Sequence, residues 1–198
     1  MLGKSELIEA ISPTNRGLLA SKQDQQAIGI AIARLEERNP TPEPFSALDL
    51  LGGNWRLLYT TSSELLGIDR FPLYRLGQIY QCIRPDEQRI YNIAEVVGVP
   101  LLEGLVSVSA RFEVVSRQRV NVAFERGVFG LQRILGYTRP SALIQTLTTQ
   151  AKLPLWQGID FRINRESSGW LEVTYLDADL RIGRGNEGNV FVLRKAAL

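Results

Sequence analysis

The chain has 198 residues, a net charge of +2, one cysteine (Cys82) and no histidine, with 22% charged and 44% hydrophobic residues. These proportions suit a folded globular chain long enough to bury a core. The missing histidine removes zinc sites, Ser-His-Asp triads and Cys-His pairs in their usual forms, and a lone cysteine removes any intramolecular disulfide.

No apolar run approaches the roughly 20 residues that span a bilayer as a helix. Met1 to Glu6 runs straight into helix-like sequence with no signal or transit peptide, so a cytoplasmic chain is expected. Lys4 to Ile11 predicts a short helix that stops near Ser12-Pro13. Ser21 with Asp24 three positions on forms a capping box. Ala27, Ile28, Ala31, Ile32 and Leu35 then recur at helical spacing, which predicts an amphipathic helix lying on its own domain. Asn39-Pro40-Thr41-Pro42-Glu43-Pro44 ends that helix and makes a stiff linker. Residues 1–44 are therefore read as a helical segment and linker, and 45–198 as one β domain.

From Leu48 onward the pattern has period 2. Trp55, Leu57 and Tyr59 alternate along one strand, Gln78 to Arg84 and Arg89 to Val97 flank an Asp86-Glu87-Gln88 turn, and Tyr80 and Cys82 share a face. Cys82, with no histidine to activate it, is expected to be an inert core thiol. Val106, Val108, Ala110, Phe112 and Val114 share a face of a long strand, and Val120, Val122 and Phe124 repeat it after a Ser116-Arg117-Gln118 turn. Between Leu105 and Trp156 seven cations stand against Glu113 and Glu125, which reads as a solvated sheet face, or else one meeting an anionic membrane surface or nucleic acid. Ser141 to Gln150 predicts a short helix, and Ile159, Phe161 and Ile163 a further strand face. Leu65, Leu66, Ile68, Phe71, Leu73 and Tyr74 make the Ser62–Tyr74 loop unusually apolar, as a cover over an apolar opening would be.

The last thirty residues form a meander: Leu171, Val173 and Tyr175 alternate, Asp177-Ala178-Asp179 turns the chain, Leu180-Arg181-Ile182 alternates again, and Val190 to Leu193 closes the series. Gly183 to Gly188 has the spacing G-x-G-x-x-G. A dinucleotide site needs a helix after that motif, and Asn189-Val190-Phe191-Val192-Leu193 is strand sequence, so a hairpin is expected. Asp177 and Asp179 are read as turn formers paired with Arg181 or Arg184, not as metal ligands. Eight or nine strands with short connections and no βαβ rhythm predict a mainly β, antiparallel up-and-down barrel.

Gly53-Asn54-Trp55 at the start of the first strand resembles the lipocalin signature, in which an indole closes the barrel floor and a late-strand arginine packs over it; Arg181 or Arg184 fits that role. With Leu51 to Ser62, Thr174 to Ile182 and Arg184 to Leu193, and with upstream Arg16-Gly17-Leu18 and Ile32-x-x-Leu35-Glu36, the chain resembles the plastid lipid-associated proteins, or fibrillins, from about Leu7 to Leu193. The absent transit peptide points to a cyanobacterial member. The resemblance implies a lipocalin-like barrel that binds or organises lipids, isoprenoids or fatty acids at thylakoid membranes or plastoglobules, in photoprotection, without catalysis and without a cofactor.

Its lumen candidates are Trp55, Tyr59, Val108, Phe112, Val122, Phe124, Phe161, Tyr175 and Arg181, with Trp55, Arg181, Arg184 and Asp177 at the floor and Leu65, Leu66, Ile68, Phe71 and Tyr74 in a mouth loop. The expected partner is a hydrophobic small molecule or lipid, with peripheral membrane contact and no nucleic acid. Two alternatives stand beside this: a bilin-handling barrel resembling the bilin lyases, and a scaffold whose filled barrel binds only proteins.

Overall fold

A computed structural model describes residues 3–62, 75–163 and 168–196. Helix α1 (Lys4–Ile11) buries Leu7 and Ile11, and α2 (Lys22–Glu36) buries Ile28, Ala31, Ile32 and Leu35. The capping box at the start of α2 is formed in both directions: Asp24 N donates to Ser21 Oγ at 3.2 Å, and Ser21 N donates to Asp24 Oδ2 at 2.9 Å. A one-turn helix, α3 (Leu48–Leu51), leads into the barrel.

Nine strands come next: β1 (Gly53–Thr60), β2 (Arg75–Arg84), β3 (Arg89–Val97), β4 (Gly104–Val114), β5 (Arg119–Leu131), β6 (Ile159–Arg162), β7 (Ser168–Leu176), β8 (Leu180–Gly185) and β9 (Val190–Lys195). Every pairing among them is antiparallel. β1 to β5 and β7 to β9 close on themselves through β4–β5 and β1–β9, so the expected barrel is present. Gly183 to Gly188 lies in the β8–β9 hairpin, with no helix of the dinucleotide-binding kind after it.

Closure is uneven along the axis. The first half of β5 pairs with β7, from Arg119 opposite Glu172 to Ala123 opposite Ser168. Its second half pairs with β6, from Arg126 opposite Arg162 to Phe129 opposite Ile159. On the other side, β2 pairs with β1 only as far as Arg56 opposite Tyr80. The Arg16–Gly17 turn runs beside the end of β1, where Thr60 N donates to Arg16 O at 3.0 Å, and Arg16 Nη2 reaches Leu76 O of β2 at 2.7 Å. Gly17 has φ +106°, and a Cβ there would sit 2.4 Å from Thr60 O, so only glycine fits this approach.

Side-chain parity then sorts the walls. Inside, Trp55, Leu57, Ile83, Ile90, Ala110, Phe112, Val120, Val122, Leu171, Val173, Leu176 and Leu193 belong to one cluster that fills the lower barrel. Outside, α1 and α2 cover Tyr59, Tyr175, Leu180, Ile182 and Val192. Helix α4 (Pro140–Thr149) covers the opposite wall, burying Leu143, Ile144 and Leu147 against Cys82, Tyr91, Ile93, Leu105 and Val128. The N-terminal helices and α4 are thus packed against the barrel wall rather than held apart from it.

Candidate functional site

The barrel floor is built around Trp55, which is fully buried and donates through Nε1 to Leu51 O at 2.8 Å. The Arg181 guanidinium lies 5.1 Å from the indole centroid, and Lys195 Nζ lies 5.2 Å from it, so one ring carries two cations. Lys195 also donates to the carbonyl of Leu50 at 2.8 Å. Arg181 is 1% exposed. It is on the inner face of β8, opposite Leu176 and Leu193, whereas its neighbours Leu180 and Ile182 belong to the outer cluster.

Arg181 Nη2 donates to Gln81 Oε1, and Gln81 Nε2 donates to Asn92 Oδ1 at 3.0 Å. Arg181 Nη1 has no hydrogen-bond partner among the described residues. No carboxylate is paired with it there, and burial pushes its pKa down to about 9, so it remains charged at neutral pH.

Above this floor the inner wall is not sealed. Gln81, Asn92, Val106, Val108 and Phe124 all face inward and are only half-buried. Phe129, Ile159 and Phe161 share the same inner parity at the rim and are 48%, 62% and 51% exposed. Phe161 lies across Gly127, where a Cβ would come within 2.5 Å of its ring. Val97, Val99, Leu101 and Leu102 of the β3–β4 connection are exposed at the same end, and Leu155 and Trp156, just before β6, are 88% and 70% exposed. Arg75, opposite Val97, and the exposed Arg133, Lys152 and Arg162 make no ion pair among the described residues. One end of the barrel therefore carries an apolar rim, and below it the inner wall keeps the half-buried Val106, Val108, Asn92 and Gln81 above the floor.

Several of the expected placements are corrected. Tyr59 and Tyr175 are not lumen residues: both lie in the outer cluster under α1 and α2. The cause is a pair of bulges, between Leu57 and Tyr59 in β1 and between Val173 and Tyr175 in β7, each of which inverts the facing of the residues after it. Arg184 is not at the floor; it faces outward and is bound by Glu36 of α2 through Nε at 3.0 Å and Nη2 at 2.8 Å. Asp177 pairs with neither Arg181 nor Arg184. Its carboxylate meets Lys4 Nζ at 2.6 Å, accepts from Tyr175 Oη at 2.7 Å, and accepts from the backbone N–H groups of Asp179 at 2.9 Å and Leu180 at 2.8 Å. Lys4 also contacts Asp179. Phe112 and Val122 point inward within the filled floor cluster, against which the half-buried Phe124 packs, whereas Val108 and Phe161 face inward outside that cluster. Leu65, Leu66, Ile68, Phe71 and Tyr74 lie outside the described residues.

The basic stretch from Leu105 to Trp156 is divided. Arg111, Arg117, Arg119 and Arg126 are held by Glu125, Glu43, Glu172 and Asp160, which leaves Arg133, Arg139 and Lys152 without an ion pair among the described residues. Gln81 and Asn92 are not among the site residues expected from the sequence. The signal that finds them is parity: each is polar at a position where its strand otherwise turns Ile79 and Ile83, or Ile90 and Ala94, inward. Among the described residues no three acidic or thiol groups gather as a metal site would require, and no helix is long and apolar enough to cross a membrane.

A closed antiparallel barrel, entered by helices, opened by Gly53-Asn54-Trp55 and floored by an indole under an arginine, defines a lipocalin-like protein. The model of the PAP_fibrillin family matches residues 1–194, and the chain belongs to that family. It is 33% identical to the probable plastid-lipid-associated protein 2, chloroplastic, of Arabidopsis thaliana, over 97% of this chain and 70% of that protein. It is 34% identical to the chromoplast-specific carotenoid-associated protein of Cucumis sativus, over 97% of this chain and 67% of that one. For plastoglobulin-1, chloroplastic, of Pisum sativum, identity is 34% over 97% of this chain and 60% of that protein. No solved structure matches.

Proposed function

We propose that this chain is a non-enzymatic carrier or organiser of hydrophobic small molecules, of the lipid, isoprenoid or fatty-acid type, and that it works on the surface of photosynthetic membranes or lipid droplets in photoprotection. The observation that carries the reading is the rim: inward-facing Phe129, Ile159 and Phe161 are left half-exposed and continue into exposed Leu155 and Trp156. An apolar cup that opens onto an apolar edge lets a greasy molecule pass between lipid and barrel without crossing water. Arg75 and Arg133 at that end suit anionic head groups, and a tryptophan at such an edge suits the membrane interface. Relatives named as lipid-associated and carotenoid-associated proteins support the same ligand class. Catalysis has little to work with: the chain lacks histidine, and burial pushes the Cys82 thiol up to about 12.

The test is co-sedimentation with vesicles. The protein is expected to pellet with phosphatidylglycerol-containing vesicles and to be released by salt. A double variant, Leu155→Asp with Trp156→Asp, should lower the bound fraction at least five-fold while its thermal unfolding is unchanged. Equal binding by the variant would remove the rim from the reading.

A further inference from the structure

We propose that Arg181, presented through Gln81 and Asn92, is an anchor for the carboxylate of an acyl-chain ligand whose tail fills the open half of the barrel. The inference rests on the carrier reading above and specifies its ligand as an acid, not a neutral lipid.

Three observations carry it. First, Arg181 is buried to 1% exposure with Nη1 unpartnered among the described residues, while its other terminal nitrogen is committed to Gln81. A buried guanidinium is ordinarily matched by a carboxylate that accepts from its fork of donors, because leaving the charge dry and unpaired is costly. Second, the partners present are of the wrong kind to complete it: an indole face, a neutral amide, and Lys195, a second cation. Two positive groups around Trp55, with no negative group on Arg181 among the described residues, leave the floor of the cup electropositive. A clamp that served only to hold the floor together would be satisfied from within the protein. Third, the polar line from Arg181 through Gln81 to Asn92 leaves the sealed part of the barrel and enters the half-exposed part, where the next inward residues are Val108, Val106 and Phe124. The donors therefore sit beneath inward-facing apolar residues that stay half-buried, an order of polar base and apolar wall that suits a compact anionic head with a hydrocarbon tail. A head of this size suits a carboxylate, which is planar and matches the guanidinium edge.

The experiment uses the full chain and displacement of a fluorescent polyene fatty acid, with oleate and methyl oleate as competitors. Oleate should bind about 10- to 100-fold more tightly than its methyl ester, the range expected for one charge-assisted hydrogen bond made away from water. Arg181→Met should bring the acid down to the ester's affinity and leave the ester unaffected. Asn92→Leu, which spares the floor, should reduce the acid's advantage without abolishing ester binding, and it decides the matter should Arg181→Met fail to fold. Equal affinities for acid and ester in the unaltered protein would overturn the anchor while leaving the carrier reading standing. Binding of neither competitor and no uptake of the polyene probe would overturn both.

Discussion

Asp177 ties the beginning of the chain to its end, and the cost of replacing it by asparagine can be worked from its contacts. One carboxylate oxygen accepts from the backbone N–H groups of Asp179 and Leu180; the other meets Lys4 Nζ at 2.6 Å and the Tyr175 hydroxyl at 2.7 Å. Asparagine keeps the first oxygen as an acceptor but sets an amide donor against the ammonium and the hydroxyl. Two hydrogen bonds to a charged, buried group are lost, at about 1.5–3 kcal/mol each before Lys4 falls back on Asp179. The net loss is about 2–4 kcal/mol, or a Tm lower by roughly 5–15 °C for a chain of this length.

The pH dependence sharpens the test. Burial alone would raise the Asp177 pKa, but Lys4, Tyr175 and the two N–H groups hold it well below the usual carboxylate range. A depressed folded pKa gives stability that is complete above the unfolded value of about 3.9 and drains away as pH falls below it. The gap between wild type and Asp177→Asn, measured by urea unfolding, should therefore be full at pH 7 and clearly smaller at pH 3. A gap of the same size at both pH values, or a Tm change under about 2 °C at pH 7, would refute the reasoning.

Trp55→Ala should cost about 3–5 kcal/mol in urea unfolding, since it empties the floor and removes the surface on which Arg181 and Lys195 rest. A loss below about 1 kcal/mol would mean that the floor is held by something else. Cys82 should not react with a thiol reagent at pH 8 in the folded protein and should titrate as one equivalent in guanidinium, because it is fully buried and its thiol is pushed up to about 12. Rapid native labelling would contradict its position under α4.

Much of this architecture is legible in the sequence because period and punctuation agree. The strand starting at Trp55, the β8–β9 hairpin and the α2 capping box all come from local rules and are all present. Local rules miss parity after a bulge. Thr174 and Leu58 give no compositional sign that they are extra residues, yet they turn Tyr175 and Tyr59 outward against the helices. The choice between Arg181 and Arg184 depends on facing too: three positions apart across an unbroken stretch of strand, one points in and the other points out to Glu36. Lys4 as the partner of Asp177 is a long-range contact that no spacing announces. Gln81 and Asn92 stand in the sequence as polar residues at inward positions, a signal that is informative only once a lumen is established.

The covering helices have a consequence for how copies of this protein would share a lipid surface. With α1 and α2 clothing one flank of the barrel and α4 the other, the exposed apolar residues of inward parity, Phe129, Ile159 and Phe161, stand together with Leu155 and Trp156 at one end. Contact with lipid through that end, as proposed above, would stand the molecule upright and let it occupy only its own cross-section. On the proposed lipid surface, neighbours would then meet through their helix-covered flanks rather than through the barrel wall.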